Sequence, residues 1–338
     1  MISPAASPYA LGVDGGGTKT QAAVVAADGT LLGQGRGGPA NFHFAPADAV
    51  RRSLRQAVDQ ALAEAGIDPG AIALAVGTFA GGWPPSELAP VSGVAPWAVV
   101  PEHEVWMASA LLAGEGAVVL SGTGAFEWAR GPRGEHRTDG LGMLLGDEGS
   151  AYWLAREALL AVGRASDGRG PATALSQGLR QATGGDDASA LGRWLYRPDG
   201  VVAPRHEVAA LAPVVTRLAQ AGDAAAAAIC RRAAEHLWRG ARICIRRSGL
   251  ASRPFPLVLA GGVLAAPAVR EPLLAKLARA YPTARAVRPR FGPAVGAALI
   301  ALSRLGVGWD DAFAARLEGG AAARGGGGRG HGAVAPRR

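Results

Sequence analysis

The chain has few of the residues that build metal centres. Its 338 residues include two cysteines, Cys230 and Cys244, and six histidines. There is no Cys-x-x-Cys pair and no Cys/His cluster, so a structural zinc site is not supported. Both cysteines fall on one predicted long helix and roughly on one face of it, so we expect buried, unreactive thiols.

Long hydrophobic runs are also missing. No apolar stretch approaches the roughly 20 residues of a membrane-spanning helix, and residues 1 to 10 lack the basic start and long apolar core of a signal peptide. Hydrophobic residues make up 49% of the chain and charged residues 18%, which is typical of a globular protein. Its length allows two domains with substantial cores. We expect a cytoplasmic protein without membrane contacts.

Lysine is scarce, since only Lys19 and Lys276 accompany the many arginines. The formal net charge is +8, but four of these charges belong to the Gly-, Ala- and Arg-rich end of the chain. That end lacks hydrophobic periodicity, so residues 318–338 are predicted to be a disordered tail. The body has no basic run with interleaved aromatic residues, and nucleic-acid binding is therefore not expected.

Three consecutive glycines follow an acidic residue near the start of the chain. Apolar residues 9–13 and 21–26 predict two strands, so the segment Asp14-Gly15-Gly16-Gly17-Thr18-Lys19-Thr20 must form a tight turn between them. Glycine N–H groups, threonine hydroxyls and the Lys19 charge together form a cradle for a polyphosphate. Asp14 would repel phosphate unless a divalent cation lay between them, which predicts Mg²⁺.

The simpler interpretation of this turn is a glycine-rich hairpin that binds nothing. It is not a P-loop, which needs Gly-Lys-Ser/Thr at the start of a helix, nor a dinucleotide-binding fingerprint, because a strand follows it. The sequence VDGGGTKTQAAVV, followed by Asp28-Gly29, resembles the first phosphate loop of the actin, sugar kinase and Hsp70 superfamily. In that superfamily a β-hairpin holds the phosphates of ATP.

The order of predicted elements indicates a duplicated fold. Up to residue 100 the order is β-β-β-α-β-α-β, which is that of a ribonuclease H-like unit. A second strand, glycine turn and strand then follow at residues 117–130, with Ser121-Gly122-Thr123-Gly124 as the turn. We predict an α/β protein with a duplicated ribonuclease H-like fold of the actin and hexokinase type, with two domains and an interdomain cleft.

The predicted domain boundaries follow this order. The N-terminal domain covers residues 1–112 and is completed by a helix at about residues 293–306. The C-terminal domain covers residues 113–292 and carries a helical insertion at about residues 151–248.

Five motifs together resemble the N-acetylglucosamine kinase and BadF/BadG/BcrA/BcrD-type ATPase family. They are DGGGTKT, SGTGA, GLGMLLGDEGSAYWLAREAL, LAGGV and PRFGPAVGAAL, and the likeness runs from about residue 9 to residue 305. The most specific is GDEGSAYW after a glycine loop. The resemblance implies an ATP-dependent kinase of an amino sugar or related hexose, with ATP and Mg²⁺ as cofactors and a small sugar as its partner. Whether the chain forms a homodimer is left open.

The resemblance also implies nucleotide-binding residues. Asp14 helps to position Mg²⁺ through water. The second phosphate contact comes from Thr123 and Gly124 of the opposite domain. Gly261 and Gly262 bring a strand end and a helix N-terminus to the adenosine side. The β- and γ-phosphates contact the first turn, at Gly15, Gly16, Gly17, Thr18 and Lys19.

The sugar-binding residues implied by the resemblance lie on two loops. Asn41 follows the third strand, and Gly140, Leu141 and Asp147 belong to the glycine loop before a helix that begins at Ala151. Asp147 has an alternative interpretation as the cap of that helix.

Family members carry an Asn-Asp pair at the end of the last strand of the first domain, and its acid takes the proton of the acceptor hydroxyl. Here His103 stands at the Asn position and Glu104 at the Asp position. Displacement of a reacting group by about 1 Å can cost roughly 10²-fold in rate, so a sensor that binds ATP and sugar without turnover is the alternative function. His103 is a second candidate base and substrate contact, or else a surface histidine. A metal site made of Glu102, His103 and Glu104 is disfavoured, because adjacent residues rarely converge on one ion.

Two further departures from the family pattern concern the sugar. Ala125 stands where a serine often follows GTG, and Leu141 stands where N-acetylhexosamine kinases often carry a tryptophan. Both weaken N-acetylglucosamine as the specific acceptor and leave the nucleotide side unchanged. The acyl-CoA dehydratase activators of the same broad family need cysteines near the second glycine turn, and this chain has none there.

Overall fold

The computed structural model describes residues 8–42, 45–185, 188–197 and 201–324. The chain divides into two compact units, one made of Met1–Leu111 and Arg290–Arg338 and the other of Leu112–Pro289. Residues 325–338 of the predicted tail lie outside the described residues.

The secondary structure alternates strands and helices in both units. The strands are β1 (Tyr9–Gly15), β2 (Thr20–Ala26), β3 (Leu31–Gly37), β4 (Ile72–Phe79), β5 (Trp97–Val99), β6 (Gly116–Ser121), β7 (Ala125–Gly131), β8 (Gly134–Asp139), β9 (Phe255–Ala260) and β10 (Ala284–Val287). The helices are α1 (Ala47–Ala65), α2 (Pro85–Ser92), α3 (Glu102–Ser109), α4 (Ala151–Ser166), α5 (Leu175–Thr183), α6 (Ala188–Leu195), α7 (Arg205–Ala209), α8 (Ala212–Gln220), α9 (Ala224–Ser248), α10 (Pro267–Ala280), α11 (Pro293–Arg304) and α12 (Asp311–Arg324).

The first unit is built on a five-stranded mixed sheet with the order β3-β2-β1-β4-β5. β1, β2 and β3 pair antiparallel, and β4 and β5 add in parallel beside β1. Because successive side chains of a strand point to opposite faces, β1 contributes to two cores. Ala10 packs with residues of α3, α11 and α12, whereas Leu11 and Val13 pack with α1 on the other face.

The second unit repeats this topology. Its sheet has the order β10-β9-β6-β7-β8, with an antiparallel β6-β7-β8 meander and parallel β9 and β10. Counted from the central strand of each unit, the two sheets have the same order and strand directions. The predicted α/β fold with a duplicated ribonuclease H-like unit is therefore confirmed.

The helices of the second unit pack around a separate core. Leu154 of α4, Val215 of α8 and Ile245 of α9 are fully buried members of it. Cys230 and Cys244 are also buried there, as predicted, and burial raises the pKa of each thiol to about 11. Both thiols are therefore protonated at neutral pH and unreactive.

The predicted start of a disordered tail at residue 318 is wrong. α12 continues to Arg324, with Leu317 fully buried. Arg324 donates hydrogen bonds to the Glu64 carboxylate at 2.8 Å and to the Leu32 carbonyl at 2.9 Å. These contacts hold a Gly- and Ala-rich segment in a helix that its composition alone does not indicate. Within the described ranges, no helix is both long enough and apolar enough to span a bilayer.

Candidate functional site

The first candidate site is the tight turn that joins β1 to β2. Gly15 and Thr20 are its last paired residues, and the Gly16 N–H donates to the Lys19 carbonyl at 2.9 Å. Gly15 is enclosed, because a Cβ there would lie 2.4 Å from the Phe79 ring. A Cβ on Gly17 would meet nothing within 4 Å. With Thr18 and Lys19 also exposed, the tip of the turn is open to a ligand.

The expectation that Thr20 adds a hydroxyl to the cradle is wrong. Thr20 is fully buried, and its hydroxyl donates a 2.8 Å hydrogen bond to the Gly38 carbonyl. The side chain therefore ties β2 to the end of β3 instead of facing a ligand. Thr18 remains as the exposed hydroxyl of the turn.

Two carboxylates interact at this end of the first sheet. The pKa of Asp14 is raised to about 7, first by burial and then by the negative charge of Glu102, while Lys19 acts in the opposite direction. Glu102 is the first residue of α3, and its carboxylate accepts a 3.2 Å hydrogen bond from the Trp106 indole N–H. A cation beside Asp14 would relieve this repulsion, and carboxylate oxygens are ligands that Mg²⁺ prefers.

The residues that the structure describes contain no group of three or more His, Cys, Asp or Glu side chains placed to hold a metal ion. Mg²⁺ in kinases commonly takes one or two carboxylates and completes its shell with substrate phosphates and water. Asp14 and its neighbour Glu102 fit that pattern, since they supply carboxylates without forming a closed cage.

Sequence reasoning considered Glu102 only in a disfavoured metal site with its neighbours and gave the catalytic role to Glu104. Successive α-helical residues differ by about 100° in direction, so two residues that are two positions apart point about 200° apart. Glu102 interacts electrostatically with Asp14. The side chain of Glu104 therefore points away from α3 in a different direction from that of Glu102. The signal in the sequence was the acid-x-acid pattern at a helix start, which does not reveal which acid faces the strand ends.

The predicted substrate contacts of the first unit are both buried. The Ala40 N–H donates to the Gly16 carbonyl at 2.9 Å, and this bond places Asn41 next to the glycine turn, with 4% of its surface exposed. His103 is 7% exposed, so its alternative interpretation as a surface histidine is wrong.

The second candidate site gathers two segments that are distant in sequence. The Ser121 hydroxyl donates to the Gly149 carbonyl at 2.7 Å, and the Ala151 N–H donates to the Gly122 carbonyl at 2.8 Å. The Ala125 N–H donates to the Asp147 carboxylate at 3.1 Å. The glycine turn of residues 121–124, which carries Thr123 and Gly124, therefore lies against the loop that carries Asp147.

Asp139 organises this loop. Its carboxylate accepts hydrogen bonds from the N–H groups of Gly140 at 2.7 Å, Asp147 at 2.6 Å and Glu148 at 2.9 Å. Asp139 and Asp147 both have a φ of 59°, a left-handed conformation that aspartate adopts more readily than most residues. Sequence reasoning missed Asp139, although an aspartate at the start of a glycine-punctuated loop is typical of a residue that binds nearby backbone N–H groups.

The alternative interpretation of Asp147 as a helix cap is wrong. Ser150 caps α4, because its hydroxyl accepts a 3.2 Å hydrogen bond from the Trp153 N–H. Asp147 is buried, and its second carboxylate oxygen pairs with the guanidinium of Arg205 at 2.5 Å. Burial raises the pKa of Asp147, and Arg205 opposes that change. Sequence reasoning missed Arg205, since no local motif marks it in the helical insertion.

Gly261 and Gly262 lie beside the second glycine turn. Gly261 has a φ of +94°, and a Cβ there would lie 2.2 Å from the Ser121 carbonyl oxygen. Gly262 begins a 3₁₀ turn, Gly262–Ala265, and α10 starts only at Pro267. These glycines therefore connect the end of β9 to the start of α10 through the short turn.

The loop between Asp139 and Asp147 exposes apolar side chains. Leu141, Leu144 and Leu145 are 68%, 88% and 80% exposed. Gly140, with a φ of +73°, lies so close to Arg137 that a Cβ would be 2.2 Å from the guanidinium. The predicted sugar contacts Gly140 and Leu141 thus belong to the same loop as Asp147.

The fold and these two sites define the class of protein to which this chain belongs. Two sheets of matching topology, each with a glycine turn after its central strand, form the fold of the actin, sugar kinase and Hsp70 superfamily. The model of the BadF/BadG/BcrA/BcrD ATPase family matches residues 11–301. The chain belongs to this family.

Similar proteins include kinases of N-acetylated sugars. The N-acetylmuramic acid/N-acetylglucosamine kinase of Clostridium acetobutylicum is 27% identical over 264 residues, which cover 76% of this chain and 85% of that protein. The N-acetyl-D-glucosamine kinase of Dictyostelium discoideum is 28% identical over 312 residues, which cover 87% of this chain and 97% of that protein. A Chromobacterium violaceum structure, provisionally assigned as an N-acetylglucosamine kinase, has a TM-score of 0.68 and 28% identity and covers 88% of this chain and 99% of that one.

Proposed function

We propose that this protein is an ATP-dependent kinase that transfers the γ-phosphoryl group of ATP to a hydroxyl of an amino sugar or related hexose. The observation that carries this proposal is the likeness to two kinases of N-acetylated sugars, over 76% and 87% of this chain. Use of ATP also agrees with the cytoplasmic location predicted from the sequence.

For the nucleotide, we propose that the first glycine turn holds the β- and γ-phosphates. The open space at Gly17 and the exposure of Thr18 and Lys19 support this assignment, because phosphate needs close access to backbone N–H groups and a nearby positive charge. In the second unit, the proposed nucleotide contacts are Thr123, Gly124, Gly261 and Gly262.

The acids near the first turn have different proposed roles. Phosphoryl transfer requires neutralisation of phosphate charge and a base for the acceptor hydroxyl. We assign Asp14, with Glu102 beside it, to the Mg²⁺ ion, which would supply charge neutralisation when bound. Glu104, which leaves α3 in another direction, is the proposed base.

For the sugar, the proposed contacts are Asn41, His103, Gly140, Leu141 and Asp147. Asp147 is the best supported of these. Each of its carboxylate oxygens accepts one hydrogen bond from the protein, and a carboxylate oxygen has room for a second donor. The carboxylate therefore keeps acceptor capacity for sugar hydroxyls.

A coupled ADP-release assay with a panel of hexoses and N-acetylhexosamines, at saturating ATP and Mg²⁺, tests the proposal. We expect release that depends on an amino sugar or a related hexose. ATP binding without sugar-dependent release would overturn the kinase proposal and support the alternative of a sensor.

A further inference from the structure

Arg205 is a cation held in a largely desolvated position beside a carboxylate. Its side chain is 14% exposed and that of Asp147 is 5% exposed. Arg205 is the first residue of α7, so the helical insertion supplies it to a loop that lies more than fifty residues earlier in the chain. An ion pair with so little water around it depends on its geometry, since neither partner is rehydrated when the other is lost.

The pair also lies directly over the second glycine turn. A Cβ on Gly124 would be 2.5 Å from the Arg205 guanidinium and 2.8 Å from the Asp147 carboxylate. The absence of a side chain at residue 124 is therefore what admits the pair. The guanidinium contacts both the turn that we assign to phosphate and the carboxylate that we assign to the sugar.

We infer that Arg205 is a positioning residue for the acceptor sugar, which acts by holding the Asp147 carboxylate ionised and oriented over the Gly124 turn. This inference rests on the proposed function, in which Asp147 accepts hydrogen bonds from sugar hydroxyls. A fixed acceptor selects one orientation of the sugar ring and thereby the hydroxyl presented for transfer.

The charges around Asp147 explain why the arginine is needed. Burial raises the pKa of Asp147, and the nearby carboxylate of Asp139 raises it further. Arg205 from α7, the Ala125 N–H from β7 and Arg137 from β8 lower it. Arg205 has the largest effect among the groups that lower this pKa, so its loss favours the protonated carboxyl, which has less acceptor capacity.

The test compares Arg205→Met and Arg205→Lys with a matched control, Arg197→Met. Arg197 lies before α7 and pairs with Glu207, which belongs to α7 together with Arg205. The control therefore perturbs α7 without removing the partner of Asp147. For Arg205→Met, we expect the KM for the sugar to rise by about 10-fold to 100-fold, as for a lost charged hydrogen bond. This rise should exceed any change in the KM for ATP. The acidic limb of the kcat/KM profile for the sugar should also move to higher pH, because sugar binding needs ionised Asp147.

Arg205→Lys keeps the charge and loses the planar fork, so the acidic limb should return towards its wild-type position while the KM stays raised. Arg197→Met should show the wild-type KM and profile. If Arg205→Met lowers only the melting temperature, with wild-type sugar KM and acidic limb, Arg205 has a structural role and the inference fails.

Two further variants distinguish a failure of the positioning role of Arg205 from a failure of the proposed function. They are Asp147→Asn and the double variant Asp147→Asn/Arg205→Met. They also serve if Arg205→Met alone does not fold, since the double variant leaves no unpaired carboxylate. We expect Asp147→Asn to raise the sugar KM, and the double variant to raise it no further. Additive effects would overturn the positioning role alone. An unchanged sugar KM in Asp147→Asn would instead overturn the proposed role of Asp147.

Discussion

Gly12 of β1 lies directly against Ala294 of α11. A Cβ on Gly12 would be 2.0 Å from the Ala294 carbonyl oxygen and 2.3 Å from the Ala298 amide nitrogen. The central strand of the first sheet therefore touches the helix backbone without a side chain between them. Since β1 ends in the Asp14 turn, this contact also supports the position of the first candidate site.

Gly12→Ala should destabilise the protein by about 1–3 kcal/mol or more, because the added methyl group meets backbone atoms that cannot rotate away. Urea denaturation measures this change. Gly163→Ala in α4 is the control, since a Cβ there meets nothing within 4 Å, and alanine favours a helix over glycine by about 1 kcal/mol. Equal stability of Gly12→Ala and the wild type would contradict the close packing.

Asp14→Asn should reduce kcat by about 10²-fold or more, the size typical when one electrostatic contact to the reacting groups is lost. The reason is loss of the carboxylate that we assign to Mg²⁺, so the Mg²⁺ concentration needed for half-maximal activity should rise as well. Asp28→Asn is the matched control, because Asp28 is exposed in the turn between β2 and β3. If Asp14→Asn has the Mg²⁺ dependence of the wild type, Asp14 does not bind the metal ion.

Glu104→Gln should lower kcat by about 10²-fold to 10⁴-fold, as expected for loss of a general base, with little change in the KM for ATP. Glu102→Gln should instead raise the Mg²⁺ requirement, because Glu102 interacts with Asp14. Steady-state ADP release over a range of Mg²⁺ concentrations distinguishes the two. If Glu102→Gln lowers kcat and Glu104→Gln raises the Mg²⁺ requirement, Glu102 is the base and Glu104 acts at the metal ion.

Gly124→Ala should raise the KM for the sugar by about 10-fold or more, since a lost charged hydrogen bond has this magnitude. The new methyl group would displace the buried Arg205 and Asp147 side chains, so the melting temperature should fall as well. Gly192→Ala, where a Cβ meets nothing within 4 Å, provides the control. A wild-type sugar KM in Gly124→Ala would show that this arrangement does not matter for the acceptor.

Glu127 should make the stability pH-dependent. Burial raises its pKa from the usual 4.5 to about 8, although the Thr138 hydroxyl donates a 2.9 Å hydrogen bond to it. Between these values the folded protein holds a proton that the unfolded chain has released, so stability falls as the pH rises. The slope is at most about 1.4 kcal/mol per pH unit.

Glu127→Gln keeps an acceptor for Thr138 and cannot ionise, so its stability should change less over the same pH window. Urea denaturation of both proteins from about pH 5 to about pH 9 measures this difference. Parallel stability curves for the two proteins would mean that Glu127 does not titrate within the window.

The glycine turns and the repeated order of elements were predictable from sequence because their signals are local. Three glycines between two apolar strands leave few alternatives to a tight turn, and the same strand-turn-strand pattern recurs at residues 121–124. The roles of Thr20 and Asp147 were less predictable. A hydroxyl or carboxylate has the same local pattern whether it faces a ligand, a backbone carbonyl or a distant arginine.

The sequence by itself determined the order of strands and helices, the two glycine turns and the membership of a family. Only the tertiary structure decided which charged groups meet. Glu102 interacts with Asp14, and Glu104 lies on another side of α3 because residues two positions apart on a helix point in different directions. Arg205 reaches Asp147 because the insertion folds back over the sheet of the second unit. Such pairings depend on contacts between residues far apart in the chain, and no local pattern encodes them.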